Sequence, residues 1–167
     1  MPVNWEQHYR DTYDDLVRFL HRKVWDADRA HDLAQETFVK ALDHSPDNPR
    51  AFLFTIAANL ARDEARAAIR RKQHLQLVTV EAETRTQPDP HHALDRQEQE
   101  KAVKLALNAL TEADRDVLLL WDAGLSYEDI AQQTGLAPGA IGTTLNRARK
   151  RLVEAYEAAE GRNAASG

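Results

Sequence analysis

The side chains best suited to chemistry lie near the C-terminus. Gly139, Ala140, Thr143, Thr144 and Asn146 are small or short and polar, and Arg147, Arg149, Lys150 and Arg151 follow at once. Short polar groups can approach base edges in a major groove, while the basic residues behind them grip phosphates. The same spacing also suits a surface helical hairpin with a solvated basic face. A second basic group, Arg62, Arg66, Arg70, Arg71 and Lys72, falls on or near one helical face, with Asp63 and Glu64 among its members. It suits either a phosphate track or a salt-bridged surface. Bond-making chemistry has little to work with. The chain has no cysteine and no glycine-rich phosphate loop or nucleophile motif. Of its seven histidines only His91 and His92 are adjacent, without the helical spacing of a metal site. No metal, no cofactor and no catalytic residue is expected.

The elements that must position these groups are helices. Trp5, Tyr9, Tyr13, Leu16, Leu20 and Val24 recur at spacings of three and four, and Leu33, Phe38, Ala41 and Leu42 repeat the pattern. A turn-rich break at residues 44–49 precedes a long helix opened by Pro49, with Phe52, Leu53, Ile56, Leu60 and Ala67 on its inner side. Val103, Leu105, Ala106, Ala109 and Leu110 mark a further helix. Thr111 caps the next, which buries Val117, Leu118, Leu120 and Trp121 and ends at Gly124. Ser126 caps a two-turn helix. Gly135 supplies the positive φ of a tight turn, Leu136 plugs the space between helices, and Pro138 opens a helix with Ile141, Leu145, Ala148 and Leu152 inside. No alternating β-branched run is long enough for a strand. The predicted fold is all-α: two small helical domains joined by a flexible linker, the second holding a helix-turn-helix.

The formal net charge of −5 argues against a nucleic-acid partner only if charge is averaged. Residues 76–100 hold two Lys+Arg against six Asp+Glu, whereas residues 1–75 are balanced. Phosphates respond to local fields, since screening acts over about 8–10 Å. There is no secretory-type N-terminus and no run of membrane-spanning length, so a cytoplasmic protein without membrane insertion is expected.

The chain resembles sigma-70 family sigma factors of RNA polymerase, and more narrowly the extracytoplasmic-function group, which has only regions 2 and 4. Ala30-His31-Asp32-Leu33-Ala34-Gln35-Glu36-Thr37-Phe38 is similar to the region 2.2 signature. Residues 50–63 are similar to regions 2.3 and 2.4, and residues 110–152 to region 4. The resemblance implies an alternative sigma factor, not an enzyme, that binds core RNA polymerase and directs promoter-specific initiation. It implies region 2 in residues 1–73, a linker in 74–99, region 4 in 100–160 and a disordered tail in 161–167. Asp32, Gln35 and Glu36 would face the polymerase clamp, with Leu33 and Phe38 in the core. Asn48, in the loop over residues 43–49, and Asn59, Arg62, Arg66, Arg70, Arg71 and Lys72 would serve the opened −10 element. Base capture there costs a few kcal/mol that single-strand contacts, Phe52 and Phe54 among the candidates, must offset. Ala140, Thr143, Thr144, Asn146, Arg147, Arg149, Lys150 and Arg151 would serve the −35 element. Promoter DNA and an anti-sigma factor are the further partners. A second reading stays open: an adaptor that docks on polymerase or an anti-sigma factor with little DNA binding of its own. His31, Phe52, Thr55, Ala58, Gly142 and Thr144 depart from residues common in the family, and Ala137 stands where a polar N-cap is expected.

Overall fold

Helical periodicity accounts for every element of the computed structural model, which describes residues 2–75 and 92–165. These form seven helices, and the chain divides into two compact units, residues 1–81 and 82–167. Residues 76–91, most of the expected linker, lie outside the described residues.

In the first unit α1 spans Trp5–Val24, α2 Ala27–Ala41 and α3 Pro49–Leu75. Local chemistry sets the boundaries. The Asn4 side chain accepts from the Gln7 N–H at 3.2 Å to start α1. Trp25 closes it in a left-handed conformation (φ 57°), and its N–H bonds the His21 carbonyl at 2.8 Å. Asp26 immediately caps α2 by accepting from the Arg29 N–H at 3.1 Å. The three helices pack on one another in pairs. Leu16, Leu20, Leu33, Leu53 and Phe54 are wholly enclosed, and Phe54 meets the Phe19 ring edge-on at 5.4 Å. On α3 the buried positions are Leu53, Phe54, Ala57 and Ala61, while Phe52, Ile56, Leu60 and Ala67 are half-buried. The inner face is rotated from the predicted one because α3 must serve α1 and α2 together. No position after Ala61 is buried, so the rest of α3 extends past the core.

In the second unit α4 spans His92–Asn108, α5 Glu112–Asp122, α6 Tyr127–Thr134 and α7 Pro138–Ala165. The predicted caps are present. Thr111 accepts from the Asp114 N–H at 3.2 Å, and Ser126 accepts from the Asp129 N–H at 3.1 Å. Gly124 (φ 90°) ends α5 in a Schellman motif, with Leu125 N–H on the Leu120 carbonyl and Gly124 N–H on that of Trp121. Gly135 (φ 76°) makes the turn between α6 and α7. α7 packs against all three other helices. Val117, Ile130, Ile141 and Leu145 sit at the centre.

The details differ from expectation in several places. Leu107 is buried where Leu105 and Ala109 are exposed, and Leu119 is buried where Leu118 is half-buried. Trp121 is 41% exposed, and Leu136 is only half-buried. The choice of inner face again follows the neighbouring helices. α4 begins inside the expected linker, and α7 remains helical to Ala165, through residues expected to form a disordered tail.

Gly142 sits inside α7, where a Cβ would lie 3.6 Å from the Tyr127 ring, an ordinary contact. Gly142→Ala should therefore stabilise the second unit by up to about 1 kcal/mol, read as a raised thermal midpoint. Phe54→Ala should cost the first unit about 3–5 kcal/mol in chemical denaturation.

Candidate nucleic-acid and polymerase interfaces

On α7 the exposed residues opposite Ile141, Leu145 and Ala148 are Gly139, Thr143, Asn146 and Lys150. Their spacing of four, three and four makes one stripe. It is small and uncharged at its N-terminal end and cationic at Lys150. Ala140 is half-buried on the flank of the stripe. Thr144, expected at the surface, is only 7% exposed, because it precedes Leu145 on the inner face. It is unavailable to a base edge in this fold.

The expected phosphate residues are not equivalent. Arg147 Nη2 donates to Asp114 Oδ1 at 2.9 Å, and Arg151 Nη1 donates to Asp114 Oδ2 at 3.2 Å. Asp114 is 1% exposed. The hydrogen bond to Asp114, then its charge, raises the Arg147 pKa above the ordinary guanidinium value. Arg149 lies over the Trp121 ring, 4.2 Å from its centroid. Nothing local in the sequence signals a buried carboxylate at Asp114.

On α3, Asn59, Arg62, Arg66 and Arg70 follow one exposed stripe. Arg71 leaves it and donates to Glu64 at 3.3 Å. Lys72 is exposed on another face of the helix, beside Ala68 and Leu75 in a shallow surface hollow. Glu64 also takes a 2.9 Å bond from Arg29 of α2. That bond is the main cause of a Glu64 pKa below the usual carboxylate range, followed by the opposing effect of partial burial and then by the charges of Arg29 and Arg71. Asn48 acts as the α3 cap, accepting from the Ala51 N–H at 3.2 Å. Of the two candidate stacking aromatics, Phe54 is in the core. Phe52 remains half-buried beside the loop, 5.3 Å from the His44 ring.

On α2, Asp32 and Gln35 are exposed and Glu36 is half-buried, while Leu33 and Phe38 are core. Gln35 Nε2 donates to the Tyr9 hydroxyl at 2.7 Å and reaches that of Tyr13 at 3.4 Å. The Tyr13 hydroxyl bonds His31 Nδ1 at 2.9 Å. His31 thus has a local partner on α1. Beside Gln35 lies an open cleft of about 560 Å³ lined by Trp5, Tyr9, Phe38, Val39 and Leu42, among others. Val39 is an exposed apolar residue, and Leu42, placed by its spacing on the inner face with Leu33, Phe38 and Ala41, is exposed too because it lies just past the end of α2. Among the described residues no group of three or more His, Asp or Glu is placed to hold a metal, and no helix is long and apolar enough to cross a membrane.

Two family profiles match in chain order: sigma-70 region 2 over residues 8–73 and sigma-70 region 4 over residues 100–152. The RNA polymerase sigma factor YlaC of Bacillus subtilis is 32% identical over 154 residues, covering 88% of each chain. The sigma factor EcfG of Rhodopseudomonas palustris is 38% identical over 133 residues, covering 75% of this chain and 70% of its own. Among solved structures, the sigma factor RpoE in complex with the anti-sigma factor NepR from Bartonella quintana has a TM-score of 0.66 and 31% identity, covering 92% of this chain and 97% of that one. CnrH in complex with the cytosolic domain of CnrY gives 0.65 and 25%, covering 92% and 88%. A helical unit with a basic helix edge, followed by a helix-turn-helix unit, is the framework of a promoter-specificity factor. The chain belongs to the sigma-70 family of RNA polymerase sigma factors, in its extracytoplasmic-function group. It is an alternative sigma factor directing transcription initiation, in a family whose members are not enzymes.

Because Glu64 is more acidic folded than unfolded, its stabilising contribution is full above the unfolded value and disappears as pH falls through the folded one. Glu64→Gln should destabilise the first unit by up to about 1 kcal/mol at pH 7. The gap from the parent should close in acid, as followed by denaturation across pH.

Proposed function

We propose a division of labour between the two units. The first, with residues 1–73 as region 2, holds core polymerase and opens the −10 element. The second, with residues 100–160 as region 4, reads the −35 duplex, and residues 74–99 connect them. The observation that carries this reading is that each unit presents its own continuous exposed stripe: Asn59, Arg62, Arg66 and Arg70 on α3, and Gly139, Thr143, Asn146 and Lys150 on α7. Arg71, Lys72, Arg147, Arg149 and Arg151 supply further positive charge beside these stripes. Asn48 acts through the loop over residues 43–49 that it ends by capping α3, and Ala140 lines the edge of the α7 stripe.

Asp32, Gln35 and Glu36 form the polymerase-facing surface. The Tyr9, Tyr13 and His31 network holds Gln35 in place, so only part of that surface relies on mobile side chains. Because core polymerase works in the cytoplasm, the protein acts there. An anti-sigma factor holds it inactive, as the anti-sigma factor NepR accompanies the sigma factor RpoE in the solved complex, and a partner protein accompanies CnrH in the other. Those complexes also fit the adaptor reading and do not favour it.

Run-off transcription with core polymerase on genomic fragments tests the reading. A promoter-dependent product is expected, and its absence from every fragment would sink the proposal. Asn59→Ala should cost about 1–3 kcal/mol in open-complex formation. Arg62→Ala and Arg66→Ala should each lower the salt slope of promoter binding by about 0.7–0.9. Asp32→Lys should instead weaken capture by core polymerase while leaving DNA binding by the free chain unchanged, as measured by fluorescence anisotropy.

A further inference from the structure

The α7 arginines reach toward α5 rather than standing free. Asp114 is the third residue after the Thr111 cap, so the positive end of the α5 dipole already favours its carboxylate. Each of its oxygens takes one guanidinium, from residues one helical turn apart on α7. Arg147 and Arg151 remain 51% and 52% exposed, so each keeps N–H donors facing outward. Two flexible side chains are thereby fixed at one end and open at the other.

We propose that Asp114 is a positioning residue for DNA contact, making Arg147 and Arg151 a preorganised pair for backbone phosphate rather than two independent cations. This rests on the reading of α7 as the DNA-facing helix of region 4. A free arginine must lose rotamer freedom when it meets a phosphate. An arginine already held by Asp114 has lost it on folding, so binding retains more of the contact energy. The carboxylate also cancels one of the pair's two charges. The pair therefore contributes more through geometry than through counterion release.

The test uses the full chain and a mixed-sequence 30-base-pair duplex. Dissociation constants are measured across NaCl concentrations, at a temperature where circular dichroism shows every variant folded. Arg147→Lys keeps the charge but loses the planar fork. It should weaken binding by about five- to tenfold with the salt slope unchanged, and should cost less than about twofold in an Asp114→Asn background. An equal loss in both backgrounds overturns the proposal. So does no loss in either while the melting temperature falls, since the clamp would then be structural only. Should Asp114→Asn fail to fold, the Arg147→Lys/Arg151→Lys double variant decides alone, and unchanged affinity refutes the idea. Lys150→Ala is the separate arm. It should reduce the slope by about 0.9 in both backgrounds. Its failure to do so would remove the DNA-facing reading of α7 itself.

Discussion

A helix turns about 100° per residue, so any helix that both braces a core and presents a surface must divide one circumference between the two tasks. Both units live under this constraint, because each relies on one long helix for both. α7 meets α4, α5 and α6, and α3 meets α1 and α2. Every degree of helix surface enclosed by packing is withdrawn from recognition. Thr144 is buried for this reason, while Thr143, one residue away, is exposed. Phe54 is likewise lost to the core while Phe52 stays at the margin. The stripes left over are narrow, and their residues are fixed by packing rather than by composition.

Electrostatics follows the same partition. A net charge of −5 coexists with basic helix edges because acidic partners are placed asymmetrically. Glu64 takes Arg29 and Arg71 but leaves Arg62, Arg66 and Arg70 on the outer stripe. Asp114 takes Arg147 and Arg151 from one side of α7, and Trp121 takes Arg149 from another, while Lys150 stays on the exposed stripe. The field a phosphate meets is therefore set by which cations are already paired, which a count of Lys and Arg does not reveal.

The two-unit helical plan and its punctuation were legible in the sequence because capping chemistry is local. Thr111, Ser126, Gly124 and Gly135 act within a few residues of themselves, and all take the predicted roles. The angular centre of each inner face was not legible, since partner helices distant in sequence set it. Leu107 for Leu105, and Leu119 for Leu118, are shifts of one or two residues that periodicity alone cannot resolve. For the candidate site the sequence offers a list of residues and no geometry. Arg147, Arg149 and Arg151 look alike in sequence, and only the fold shows two on a carboxylate and one on an indole. Asn48 was associated with a loop that it serves by capping the next helix.

The overhang of α3 beyond Ala61 behaves as a cantilever. Residues 62–75 project about 20 Å past the last buried position, at 1.5 Å per residue. No core holds that arm straight. Its rigidity comes from alanine-rich helix propensity and the Glu64 pairs, and it is opposed by the like charges of Arg66 and Arg70 one turn apart. A polyanion lying along it would remove that opposition. The straightness of the arm therefore depends partly on the charges that lie beside it.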